Sequence, residues 1–184
     1  MPSFDVRERF QTTILAPRSL VMEVAADFDI RSLFLVRAIF WLRERLMRAR
    51  PAVRRRPMGL MSEMRDLGWA VLVERPGELV VCGAACQPWL ADVRFVPIPT
   101  DAFASYAEPD RAKIVWTLEA EALGPAITRF AQETRAGGTD AGAKHKFRRY
   151  WRWARFGIIG IRLLLLPAIR AEAQRRWATL RPKE

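Results

Sequence analysis

Apolar and polar positions alternate in several short runs along this chain. In the last third they give way to a three-and-four spacing sustained over about 40 residues. Phe4–Leu15 alternates loosely through Val6, Phe10, Thr12 and Ile14 and predicts a first strand. Ala16-Pro17 stops it, and Leu20, Val21, Val24, Ala25 and Phe28 then fall at helical spacing, which predicts a helix over Arg18–Phe28. After Asp29–Ser32, with Ser32 as a candidate N-cap, the spacing resumes over Leu33–Arg48 through Leu33, Val36, Phe40 and Met47. Phe34, Leu35, Ile39 and Trp41 make this second helix apolar nearly all round, so it should be buried on several sides or meet a membrane or partner.

Arg50–Pro57 reads as an exposed basic connector. Leu67–Glu74 and Leu79–Cys86 are β-rich runs joined by Arg75-Pro76-Gly77-Glu78, where central Pro-Gly suits a type II turn. Pro88, Pro97 and Pro99 cut the next stretch into pieces, leaving room for short strands near Ala91–Val96 and Ala102–Tyr106. Two longer alternating runs, Ala112–Leu123 and Pro125–Ala136, meet at Gly124-Pro125 and predict a hairpin. Ile114, Trp116 and Leu118 share one face of it with Thr128, Phe130, Gln132 and Thr134, while Lys113, Glu119, Arg129, Glu133 and Arg135 take the other.

The final helix should be capped by Thr139 or Asp140. Phe147, Trp151, Ala154, Ile158, Ile161, Leu165 and Ala168 form its apolar stripe, with Arg148, Arg149, Arg152, Arg155 and Arg162 beside or behind it. Gly157 and Gly160 allow close approach of another backbone, and Pro167 should bend the helix. A helix of this length needs a large partner surface, because most soluble helices run about three turns.

Charge changes the picture next. Among 184 residues there are 31 Lys or Arg against 20 Asp or Glu, giving +11 and a pI near 11.0. That balance attracts anionic partners such as acidic lipid, nucleic acid or carboxylate ligands without choosing among them. The excess gathers in Arg43–Arg56 and Lys144–Arg176, a basic patch if the two are neighbours in space; the plainer reading is long arginines covering apolar surface. The cluster Phe147–Phe156 invites a nucleic-acid reading, but Phe147 and Trp151 lie on the apolar stripe, so nucleic acid is disfavoured against a basic, Trp-bearing helix at a bilayer surface.

Cys82 and Cys86 would lie roughly 13 Å apart on a strand and should remain reduced thiols. One histidine and no Cys-x-x-Cys pair argue against a zinc site, and nothing in the sequence implies a cofactor. Met1–Val6 is polar, with no signal-peptide pattern, and Phe156–Ile169 falls short of the roughly 20 apolar residues that span a bilayer. The expectation is a cytoplasmic protein, peripheral at a membrane if it meets one.

The order strand, two helices, antiparallel strands, long C-terminal helix is α+β, with a curved sheet wrapped around the helix and one domain over 1–184. In this order, in the opening FQTTILAPRSLVMEVAADF and in the ending IVWTLEAEALGPAITRFAQETRAGGTDAGAKHKFRRYW, the chain resembles the START-like or SRPBCC superfamily of polyketide cyclase/dehydrase and lipid transport-like proteins. Gln132-Glu133-Thr134-Arg135, Thr139-Asp140 and Phe147-Arg148-Arg149-Tyr150-Trp151 look like a bacterial branch of it, with Gln132 standing where threonine is expected. The resemblance implies a helix-grip fold and a cavity between sheet and helix for a hydrophobic, or hydrophobic and acidic, small molecule or lipid. It also leaves open a cyclase or dehydratase, since fold alone does not decide function.

Candidate ligand contacts are Trp69, Val71, Trp116, Leu118, Phe130, Gln132, Thr134, Phe147, Trp151 and Ile158; the alternative is that they fill a closed core. No catalytic residue is assigned. His145 would be the natural acid or base near neutral pH, but it sits among Lys144, Lys146 and Arg148 and reads as a solvated surface residue. Arg129, Glu133 and Arg135 could form a charge ladder for a carboxylate, although a cross-strand Glu133–Lys113 pair is the simpler expectation.

Overall fold

The computed structural model describes residues 4–49 and 58–180, so the Arg50–Pro57 connector lies outside the described residues. Strand β1 (Val6–Ile14) leads into helix α1 (Arg18–Asp27), for which Pro17 in extended conformation forms the N-cap. Helix α2 (Phe34–Met47) and helix α3 (Leu60–Asp66) precede the hairpin of β2 (Ala70–Arg75) and β3 (Leu79–Cys86). A short α4 (Thr100–Phe103) is followed by the hairpin of β4 (Ala112–Gly124) and β5 (Ile127–Gly138), and the chain closes with α5 (Ala141–Leu180), 40 residues long.

All strand pairs are antiparallel, in the order β1-β5-β4-β3-β2. Register shifts between Val71 and Val73 and between Ala122 and Gly124 accentuate strand bending. Residues directly opposite share a face. One row across the sheet is therefore Val71, Cys82, Trp116, Thr134 and Glu8; the next is Val80, Leu118, Gln132 and Phe10; and the next carries Ala120, Phe130 and Thr12. This face looks toward α5. Together the curved sheet and the helix lying across it make a helix-grip α+β fold.

The turn between β2 and β3 places Gly77 at φ 71°, as a type II turn demands of its third residue, with the Glu78 amide donating to the Arg75 carbonyl at 3.0 Å. Asp140 caps α5. One carboxylate oxygen accepts from the Ala143 amide at 2.8 Å and the other from the Asp110 amide at 2.6 Å, so the cap also ties the helix to the loop before β4. Gly138 sits so close to the first turn of α5 that a Cβ there would lie 2.4 Å from the Lys144 nitrogen.

Several expectations are corrected. Ser32 does not cap α2; it lies in a one-turn 3-10 helix, Ile30–Ser32, capped by Asp29, and its hydroxyl donates to the Asp29 carbonyl. Residues Ala91–Val96 form no strand beyond one bridge, Ala85 to Val96, and Ala102 lies in α4, because prolines on both sides remove the donors a ladder needs. Glu133 does not pair with Lys113. Thr117 stands opposite Glu133 while Lys113 faces Gly137, and the Lys113 ammonium donates to the carbonyls of Phe103, Ala104 and Tyr106.

Glu133, buried on the outer face, takes Arg7 at 2.8 Å, Arg9 at 3.5 Å and Arg135 at 2.5 Å, and Arg129 pairs with Glu121. Burial alone would raise the Glu133 carboxyl, but the hydrogen bonds from Arg7 and Arg135 outweigh it and hold the group below its usual range. The ladder is thus internally satisfied.

For helix α2 the expectation of burial on several sides gives way to its alternative, an apolar surface turned outward toward a membrane or partner. Val36 alone of its residues is buried, while Phe34, Leu35, Trp41, Leu42 and Leu46 lie exposed. Its inner side meets α5, where Ile39 packs on Gly157 and Gly160. The glycines therefore admit a side chain rather than a backbone. Helix α5 runs unbroken through Pro167.

Candidate functional site

Burial along α5 is interrupted. Ala143, Phe147 and Ala154 are buried toward its start and Leu165, Leu166, Ile169 and Ala173 toward its end, with none between Ala154 and Leu165. Two separate packing clusters explain the pattern. The larger joins α1, α3, Trp116, Leu118, Phe130, Leu165 and Ile169; the other gathers Ala112, Ala136 and Phe147, with Ile114, Tyr150 and Trp151 against them. A cavity of about 370 Å³ lies between them. That volume is within the range of small-molecule sites.

The sheet floor of the cavity is Cys86, Ile114, Trp116, Thr134 and Ala136, and its helix wall is Phe147, Tyr150, Trp151, Ile158, Ile161, Arg162 and Leu165. Met64 of α3, Trp69 and Phe95 close one side, the two rings 5.3 Å apart, and Phe40 and Arg43 of α2 close another. Of the residues singled out in the sequence, Trp69, Trp116, Thr134, Phe147, Trp151 and Ile158 meet at this cavity. Val71, Leu118, Phe130 and Gln132 face the same side of the sheet but do not line it. Leu118 and Phe130 belong to rows farther along the strands, inside the larger cluster; Gln132 is buried in the Leu118 row and meets the Arg162 guanidinium, and Val71 packs at the edge of that cluster.

Arg162 is the site residue that the hydrophobic pattern assigned to the wrong side. It stands four residues after Ile158 and three before Leu165, so its helical position is on the stripe. The readable signal was an arginine inside the most apolar run of the chain. One Nη donates to Gln132 Oε1 at 2.5 Å, the other to Thr134 Oγ1 at 3.0 Å, and the guanidinium carbon lies 5.4 Å from the Trp116 ring centroid. Among the described residues no carboxylate pairs with it. Burial pulls its pKa down to about 10, so it remains a cation at neutral pH.

The other titratable groups at the wall are ill suited to proton transfer. Burial pushes the Cys86 thiol up to about 12 and raises the Tyr150 phenol, the latter opposed by Arg43. His145 is exposed on the first turns of α5, outside the cavity. Cys82 and Cys86 are both free and buried on β3. Among the described residues no group of three or more His, Cys, Asp or Glu could hold a metal ion.

The helix-grip architecture defines the class of fold, and comparisons with known proteins add little to it. No family model and no curated protein matches this chain. A search of solved structures finds the Zhui aromatase/cyclase from Streptomyces sp. R1128, at 14% identity over 93% of this chain and 94% of that one, with a TM-score of 0.33. At that score the likeness carries no argument about chemistry.

Proposed function

We propose that this protein binds a hydrophobic small molecule or lipid in the cavity between the sheet and α5, with Trp69, Trp116, Thr134, Phe147, Trp151 and Ile158 as contacts. The observation that carries the reading is the gap in the packing of α5, walled by aromatic and aliphatic side chains where a closed fold would bury them against one another. Val71, Leu118, Phe130 and Gln132 flank the cavity on the same face of the sheet. Native mass spectrometry of freshly purified protein tests it. A copurified apolar molecule, lost in a cavity-filling variant, is the expected result; failure to bind any apolar probe would sink it.

A cyclase or dehydratase of the same fold is the alternative. It has less support, because none of the described cavity-lining residues is Asp, Glu or His, the usual carriers of acid–base work near neutral pH.

Contact with an anionic membrane surface is a second reading, compatible with cargo binding and favoured by one observation. Phe34, Trp41, Leu42 and Leu46 of α2 lie exposed on a helix packed against α5, which exposes Phe156 and Leu163. Arg37, Arg45 and Arg155 lie over Phe34, Trp41 and Phe156 at 5.8, 5.9 and 5.5 Å from the ring centroids. An apolar patch interleaved with arginine suits the headgroup boundary of a bilayer. Among the described residues no helix is long and apolar enough to cross a membrane, so such contact would be at the surface.

A further inference from the structure

We propose that the cavity selects amphipathic anions, molecules with an apolar body and a single carboxylate, sulfonate or phosphate head, and that Arg162 receives the head. The inference rests on the cavity-binding reading above and adds the chemical class of the ligand.

A guanidinium carries five N–H donors and no acceptor. Two of those of Arg162 are occupied, by Gln132 Oε1 and Thr134 Oγ1, both neutral. The other three find no acceptor among the described residues. Enclosing a cation without a counter-ion is costly, and proteins that keep one usually supply a carboxylate or metal-free anion against it. Here the cavity beside the cation holds the missing place.

The rest of the lining has the same bias. No described residue lining the cavity carries a negative charge at neutral pH, and Arg43 adds a second cation to its wall. The wall is otherwise apolar. An apolar body with an oxygen-rich anionic end complements both halves, and an arginine fork binds such oxygens two at a time.

The test uses two fluorescent probes that differ in one group, anilinonaphthalene sulfonate and its neutral counterpart N-phenylnaphthylamine, titrated into the full-length protein. The sulfonate should bind roughly tenfold or more tightly than the neutral probe. Arg162→Met should bring the two within about threefold by weakening the sulfonate alone, while Arg149→Met, on the exposed side of α5, leaves the ratio unchanged. Equal affinities in the parent protein, or a ratio that survives Arg162→Met, would overturn the inference and leave cavity binding intact. No saturable binding of either probe would overturn both. Should Arg162→Met fail to fold, displacement of the neutral probe from the parent protein decides the matter: dodecanoate should compete at far lower concentration than dodecanol, and equal competition refutes selection for an anion.

Discussion

The Arg162 guanidinium lies over the Trp116 indole at 5.4 Å from its centroid, one from the middle of α5 and the other from the centre of the sheet. The pair spans the layers of the fold at the cavity, and it places a cation where apolar packing would otherwise be continuous. Its energetics are those of a partly compensated charge: the ring face and two neutral acceptors offset some of the lost hydration.

Without ligand, replacing that arginine should therefore cost little. Arg162→Met removes a half-buried cation together with two hydrogen bonds, and the unfolding free energy should stay within about 1 kcal/mol of the parent. Urea denaturation reads this directly. A loss above roughly 3 kcal/mol would assign Arg162 to structure rather than to ligand recognition.

Filling the cavity should separate binding from folding. Ile161→Trp adds bulk at a wall position between the two packing clusters. Affinity for an apolar probe should fall roughly tenfold or more, while stability holds or rises, because occupied space replaces a void. Parallel probe titration and thermal melts check both halves; unchanged affinity would place the binding site elsewhere.

Gly138→Ala should be costly for its size. The new methyl group would meet backbone atoms of α5, including the Ala143 carbonyl carbon at 2.7 Å, and a helix backbone does not yield as a side chain would. A loss of about 1–3 kcal/mol is expected from chemical denaturation. A neutral result would mean that the first turn of α5 is free to shift.

Acid should act on the outer face of the sheet. Glu133 has a carboxyl lowered below its ordinary value by Arg7 and Arg135 against the opposing effect of burial. Its contribution to stability is full above the ordinary carboxylate range and is lost as pH falls through that range to the depressed value. Glu133→Gln should therefore flatten the acid limb of a stability-against-pH curve. An unaltered limb would remove this cluster from the acid response.

Membrane contact has its own signature. Trp41→Ser with Phe156→Ser removes two exposed rings, 60% and 69% accessible, on the α2–α5 surface. Sedimentation with anionic vesicles should drop several-fold and be salt-sensitive in the parent, with probe affinity in the cavity unchanged. Sedimentation equal in parent and variant would leave the patch without a bilayer role.

The element order was legible because each element has a strong local cause. Pro-Gly fixed the β2–β3 turn, alternation set the faces of β4 and β5, and the capping pair Thr139-Asp140 marked the start of α5. The site was legible only in part. Face assignment follows from a two-residue period, but the distance along the strand does not, which is why Trp116 and Thr134 reach the cavity while Leu118 lies inside the larger cluster and Gln132 reaches only Arg162. Helix α2 was legible only as two alternatives for a related reason: its apolar sequence signals affinity for something apolar without saying whether that something is inside the fold. Arg162 was misplaced because a charge reads as solvent-facing until a cavity supplies another destination.

The contact of Ile39 with Gly157 and Gly160 has a kinetic consequence. Phe40 and Arg43, next along α2, form one wall of the cavity, yet only Val36 of that helix is buried. The sheet floor is cross-linked by continuous ladders, whereas α2 is held by Val36, by Ile39 against Gly157 and Gly160, and by an Arg43 hydrogen bond to the Leu90 carbonyl. Local opening is cheapest where least apolar surface is held. If the cavity binds as proposed, α2 is the wall that opens most readily, and residence time would answer to that helix more than equilibrium affinity does.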